Sequence, residues 1–302
     1  MIKIKNKQGD SKMKKIVAFT LLLCMVLALS ACGDVKITMQ EVYDAAQPEA
    51  VLKNHESVYV QEEMDGEVWM ERYLTKDYAY DCIPDEEYPF VKFMTDDASY
   101  YYDGGYYLRY LFITPDGVGD FASERAETYA SVICGEEILD QGIESVSKKD
   151  GHITVTGALS SKELEIWVED GVTAGTVAYV LDAKTREIVS ATTDYAYEDG
   201  EVFRTATKVA CDAEAPEMVK TFLKYVNQTE ELRNVTVVTS PGTEKEVSQS
   251  FQISKGMIIG FTWDDAFEDK VELYTDAACT EAYDPYVDAD ADLTVYIKWT
   301  NT

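Results

Sequence analysis

Four of the chain's Asp-Gly steps constrain it more than any other feature: Asp65-Gly66, Asp103-Gly104-Gly105, Asp150-Gly151 and Asp199-Gly200. Each separates short runs rich in β-branched and aromatic residues, such as "SVYVQEE", "EVWMERYL", "FVKFM", "HITVTGAL", "LEIWVE", "TVAYVLD", "EIVSATTDYAY" and "EVFRTATKVA". Asp and Gly tolerate the positive φ that tight hairpins demand, so these steps read as turns. Runs joined by so few residues pair antiparallel, because a parallel crossover needs a dozen residues or more. The stretch from Ser57 to Ala210 therefore holds about eleven or twelve strands.

Within it, "SYYYDGGYYLRYLF" (residues 99–112) is a tyrosine-rich hairpin. Alternation puts Tyr106, Leu108, Tyr110 and Phe112 on one face of its second strand and Tyr107, Arg109 and Leu111 on the other. A two-residue Gly104-Gly105 loop pairs Tyr101 with Leu108, whereas a three-residue loop from Asp103 pairs Tyr102 with Tyr106. The sequence leaves both registers open.

Helical signals bracket the strands. Thr38-Met39-Gln40-Glu41 has the form of a capping box, and Pro48 suits the first turn of a second helix reaching about Asn54. "DFASERAETYASVIC" predicts a helix with Asp120 as its N-cap and Phe121, Ala122, Tyr129, Val132 and Ile133 on its apolar face. Ala215-Pro216-Glu217 opens another, with Met218, Phe222 and Val226 at i+4 spacing.

At the N-terminus, Met13-Lys14-Lys15 precedes an apolar run from Ile16 to Leu29 and then Leu29-Ser30-Ala31-Cys32. A basic region, an apolar run short of the roughly 20 residues that span a bilayer, and small residues before a cut fit an export signal over residues 1–31. Residues 1–12, with Gly9 and Asp10 ahead of Met13, read as a misplaced start. The tetrapeptide resembles the lipobox of bacterial lipoproteins, which implies cleavage after Leu29, Ser30 and Ala31. It also implies a diacylglyceryl group on Cys32, a tether over 32–37, and anchoring to the outer face of the bacterial cell membrane. Two acyl chains on one residue hold where a single chain is only marginal.

Residues 1–31 hold six Lys and one Asp of the 27 basic and 56 acidic residues, so their removal leaves a formal charge of −34. Such a chain is a poor partner for nucleic acid or an anionic surface. Beyond Cys24 and Cys32, the cysteines at 82, 134, 211 and 279 are too dispersed for a zinc cluster. They allow three pairings, and read best as free buried thiols.

The order of helix, long meander, inserted helix, more meander and closing helix over 38–233 resembles the LolA-like lipoprotein-carrier fold. That resemblance implies an α+β, mainly antiparallel architecture: a curved half-barrel sheet whose concave face is covered by helices and receives acyl chains. It places Tyr106, Leu108, Tyr110 and Phe112 as candidate ligand-lining residues. The C-terminal "VELYTDAACTEAYDP" and "ADLTVYIKWT" resemble the B repeat of internalin-type surface proteins, through Tyr274, Thr275, Asp276, Cys279, Tyr283, Asp284, Tyr296, Lys298 and Trp299. Glu272-Leu273 replaces the Gly-Trp that usually precedes the first tyrosine. This implies a small β-rich module over 234–302, acting as a spacer or adhesive unit whose protein or glycan partner the sequence leaves open.

Catalytic signals are sparse. The two histidines, His55 and His152, flank turns, and no nucleophile elbow, zinc-protease helix or phosphate-binding glycine loop occurs. No cofactor is implied. Asp288, Asp290 and Asp292 are the candidate cation ligands, but Leu293 and Trp299 stand where a calcium loop needs Gly and Glu. The sequence thus predicts a non-enzymatic envelope lipoprotein that binds a lipid or lipidated peptide. Its alternatives are a surface adhesion protein acting through the C-terminal module and, with less support, a two-carboxylate glycan hydrolase.

Overall fold

The structure is a computed structural model and describes residues 35–84, 89–120, 123–134, 136–160, 164, 171–264, 270–286 and 290–300. Leu29, Ser30, Ala31, Cys32, Phe121, Ala122, Trp167 and Asp288 lie outside these residues. The fold is α+β: a large, curved, open and mostly antiparallel sheet with few helices, and a second small sheet.

Two meanders build the large sheet. β1 (Ser57–Met64), β2 (Glu67–Thr75), β3 (Ala79–Ile83), β4 (Phe90–Met94), β5 (Ser99–Asp103) and β6 (Tyr106–Thr114) run from its middle to one side, with β7 (Gly117–Asp120) folding back on β6. β8 (Gly142–Lys149), β9 (His152–Ala158), β10 (Val172–Asp182), β11 (Ile188–Tyr197) and β12 (Val202–Cys211) return from the opposite edge, and β12 closes antiparallel against β1. Every pair among these twelve strands is antiparallel. The Asp-Gly turns carry the expected backbone: φ is +48° at Asp65, +87° at Gly66, +54° at Gly104 and +88° at Gly105. Two consecutive left-handed residues at 104 and 105 give the two-residue hairpin, and Tyr101 pairs with Leu108.

The inner face carries α1 (Met39–Ala45), α2 (Pro48–Leu52) and α3 (Arg125–Ala130). The capping box at α1 forms as expected: the Glu41 amide donates to Thr38 Oγ1 (3.2 Å) and the Thr38 amide to Glu41 Oε2 (2.7 Å). Val42, Val51 and Leu52 of these helices pack on Val58, Val60 and Leu74 of the sheet. One expectation is corrected. Asp120 ends β7 instead of capping a helix, because Gly117 and Gly119 let the chain pair back on β6, and the helix begins at Arg125. Val132 and Ile133 are buried beyond the helix end, where the chain turns at 133–134, and a 3-10 helix (Glu136–Asp140) precedes β8. The Ile133 amide donates to the Ala46 carbonyl (2.9 Å), and Tyr179 Oη donates to Gln141 Oε1 (2.7 Å), so this crossover from α3 to β8 is tied down at both ends.

The outer face is covered by α4 (Glu217–Val226) and by the second sheet. Val219 and Phe222 of α4 pack on Tyr73, Tyr80, Val91 and Phe93. After β13 (Leu232–Thr239) and β14 (Val247–Ser254), β15 (Met257–Thr262) joins the large sheet, pairing parallel with β6. β16 (Val271–Tyr274) and β17 (Leu293–Trp299) complete a four-stranded sheet in the order β14-β13-β17-β16. The segment from 234 onward thus contributes to both sheets. Val235, Val237, Ile253 and Ile297 of the small sheet pack on Leu111, Ile113 and Ile259 of the large one.

The Tyr-Thr-Asp-x-x-Cys stretch has a local explanation. Asp276 Oδ1 accepts from the Thr280 and Glu281 amides (2.8 and 2.7 Å), which closes a turn that carries Cys279 at φ +53°. These amide donors hold the Asp276 carboxyl below its usual range.

Candidate functional site

Where the crossover passes over the inner face, it leaves a crevice of about 530 Å³. Strand register dictates its floor. Ala191, Thr193 and Tyr195 on β11 stand opposite Thr207, Thr205 and Phe203 on β12, and Thr207 and Thr205 stand opposite Glu62 and Met64 on β1. The wall is Ser131, Val132, Ile133 and Cys134, and Trp69 and Arg72 of β2 close one side. A larger hollow beside Asn54, Glu56, Lys76, Asp77 and Asp212, about 750 Å³, is mainly polar. The crevice instead has the composition of a ligand site, an apolar lining with a few placed polar groups.

The polar groups are Ser131, Thr193, Thr205 and Thr207, and the charged ones Glu62, Glu63 and Arg72, of which Glu63 is paired with Lys208. Arg72 Nε donates to Asp81 Oδ1 (3.0 Å) on the neighbouring strand. Burial raises the Asp81 carboxyl, outweighing the opposing pull of Arg72 and Lys92, and burial likewise raises Glu62 against Arg72. Burial pushes the Cys134 thiol well up, and Glu62 adds to the effect. Lys92 follows Asp81 in the same cross-strand row, pairs with Glu124 and lies 5.8 Å from the Tyr101 ring centroid. Arg72, Asp81 and Lys92 thus form a charged ridge across the inner face.

Beyond that ridge lie the tyrosines of residues 99–112. Tyr106, Leu108, Tyr110 and Phe112 share the inner face with the crevice floor, by the pairings Arg72–Asp81–Lys92–Tyr101–Leu108, but none of them lines the crevice. Leu108 is buried against Tyr101 and Ile258, and Tyr110 meets Tyr101 edge to face at 4.9 Å. Tyr106, 43% exposed, packs against Tyr286 with the rings tilted and their centroids 4.8 Å apart. With Phe90 and Thr262, Tyr101 and Tyr110 surround a separate hollow of about 200 Å³. Gly260 allows the Tyr110 ring to lie close, since a Cβ there would meet that ring at 2.6 Å. The other tyrosines, Tyr100, Tyr102 and Tyr107, face outward into the cluster around α4.

Of the remaining candidates, Asp292 is engaged by Asn234, whose amide donates to Oδ1 (2.7 Å) and whose Nδ2 donates to Oδ2 (3.2 Å). Among the described residues, no group of His, Cys, Asp or Glu is placed to hold a metal. Cys82, Cys134, Cys211 and Cys279 are free. Among the described residues no helix is long and apolar enough to cross a membrane.

His55 is a structural clamp. Its Nδ1 lies 2.8 Å from Asp212 Oδ2, and its Nε2 lies 3.3 Å from Glu187 Oε1 without hydrogen-bond geometry. The Asp212 contact is therefore the main cause of the raised His55 value. Protonated His55 stabilises the fold fully below the free histidine value, about 6.5, and the contribution is lost as pH rises through the folded value. Asp212 is depressed, chiefly by His55, and its contribution is lost on the acid side instead. The melting temperature is expected to be higher at pH 6 than at pH 8, and His55→Gln to flatten that difference. Equal slopes in the two proteins across this window, measured by thermal melts, would refute the clamp.

No family model matches the chain, and no curated protein matches it. Among solved structures it is similar to the lipoprotein LppX of Mycobacterium tuberculosis, at 11% identity and a TM-score of 0.34, covering 59% of this chain and 96% of that one. It is also similar to MucB, seen in complex with MucA(peri), at 12% identity and a TM-score of 0.24, covering 71% and 73%. At these scores neither likeness carries a function, and what the site does follows from its own geometry.

Sequence reasoning missed the crevice residues Glu62, Ala191, Thr193, Tyr195 and Phe203. Part of the signal was present: on β12, Phe203, Thr205, Thr207 and Val209 alternate with exposed Val202, Arg204, Lys208 and Ala210. Alternation identifies the covered face but not what covers it.

Proposed function

We propose that this protein is an envelope lipoprotein that binds an apolar or amphipathic ligand, a lipid or a lipidated peptide, in the crevice between the curved sheet and the 131–134 crossover. It is a binding protein with no catalytic role. The observation that carries the reading is the crevice itself, about 530 Å³ with Met64, Trp69, Val132, Ile133, Tyr195 and Phe203 around the charged side chains Glu62, Glu63 and Arg72. That volume lies within the roughly 300–1,000 Å³ of small-molecule sites. Trp69, 40% exposed at the rim, is placed to report occupancy.

Titrating the mature chain with a fluorescent alkyl probe is expected to give a saturable change in tryptophan emission that Trp69→Phe removes. Absence of saturable uptake, together with no co-purified small molecule in native mass spectrometry of protein from its own envelope, would sink the reading.

Anchoring is the second half of the proposal and rests on the lipobox-like Leu29-Ser30-Ala31-Cys32. Cys32→Ala is expected to release the protein or leave it unprocessed. Membrane retention equal to that of the unaltered chain in cell fractionation would rule out acylation at this cysteine.

A further inference from the structure

Glu62 stands in the middle of the crevice floor, in the row Ala191, Thr207, Glu62, Met70 that strand pairing places side by side. It is half-buried, and no hydrogen bond to its carboxylate is found among the described residues. The cation beside it is committed elsewhere, since Arg72 Nε donates to Asp81. Lys208 is also engaged, by Glu63. Glu62, Arg72 and Asp81 together leave one negative charge in excess. A half-buried carboxylate without a donor is costly, and a second anion brought beside it is repelled.

We infer that the crevice selects aliphatic ligands whose head group is an ammonium or another N–H donor over anionic ones, and that Glu62 makes this choice. The inference rests on the crevice being the ligand site. Burial in the crevice strengthens the effect: it raises the carboxyl and so increases what a donor contributes there. The aliphatic chain lies against Val132, Ile133 and Phe203, and the head group meets the carboxylate. Specificity of this kind depends on the repulsive half of the comparison as much as on the attractive one.

The test displaces a bound neutral fluorescent probe from the full mature chain with dodecylamine, dodecanol and dodecanoic acid. Dodecylamine is expected to displace it at about tenfold lower concentration than dodecanoic acid, the scale of one charge-assisted hydrogen bond. In Glu62→Gln the amine and the acid are expected to converge, and a thermal melt near that of the unaltered chain shows that the variant is folded. If the unaltered chain shows no amine preference, or the preference survives in Glu62→Gln, the inference fails and the crevice reading stands. If none of the three compounds displaces the probe, it is the crevice reading that fails.

Discussion

Phe222→Ala is expected to lower the free energy of unfolding by about 3–5 kcal/mol. The ring is fully buried on the outer face, stacked on Phe93 at 5.2 Å with the planes 3° apart and edge-on to Tyr107 at 5.2 Å. Removing it takes away the transfer free energy of the ring and leaves a cavity between α4 and four strands whose own rings are held by other contacts. Tyr107 is fixed by Tyr102 (4.9 Å) and Tyr225 (4.8 Å), so the site has little freedom to collapse. Aromatic pairing adds about 0.5–1.5 kcal/mol beyond burial. Urea denaturation should show the loss as a lower midpoint at unchanged slope. Lys224→Ala, on the exposed side of the same helix, is expected to stay within about 0.5 kcal/mol of the unaltered chain. A loss below about 1 kcal/mol for Phe222→Ala would mean that α4 does not seal this cluster.

Thr193→Trp is expected to weaken binding of an alkyl ligand by about 100-fold while leaving the fold intact. Thr193 points from β11 into the crevice, opposite Thr205, and is only partly buried, so an indole there occupies the space between the sheet and Val132. Excluding about four methylenes at about 0.8 kcal/mol each gives about 3 kcal/mol, or roughly two decades in Kd. The corresponding substitution outside the crevice, Arg204→Trp on the exposed outer face of β12, should leave affinity unchanged. Undiminished probe uptake by Thr193→Trp, with both variants melting near the unaltered chain, would move the ligand away from this crevice and toward the aromatic hollow around Tyr101 and Tyr110.

Locally encoded features were legible in the sequence. The capping box at Thr38 and Glu41, the proline-initiated α2, the start of α4 after Pro216 and the Asp-Gly hairpins each depend on a few adjacent residues. Their backbone and hydrogen-bond requirements are met within one turn. The tyrosine hairpin was legible to the level of its faces but not of its register, because Asp103, Gly104 and Gly105 all accept left-handed geometry. The misread helix start at Asp120 has the same origin in reverse. A short polar residue before an apolar-periodic run suits an N-cap, and only pairing to Leu111 of β6 shows that Asp120 still belongs to a strand.

The candidate site was illegible for a different reason. Its floor and wall come from segments far apart in the chain: Glu62 and Trp69, Val132 and Cys134, Ala191 to Tyr195, and Phe203 to Thr207. By itself the sequence determined the hairpins, the strand alternation and the helix caps, since these follow from φ preferences and periodicity within a few residues. Only the tertiary structure decided that β12 closes on β1, that β15 joins β6 in parallel, and that the 131–134 segment crosses the inner face above Glu62. Those choices are set by which distant apolar faces bury each other against the entropy of closing long loops, a balance that no local window of residues contains.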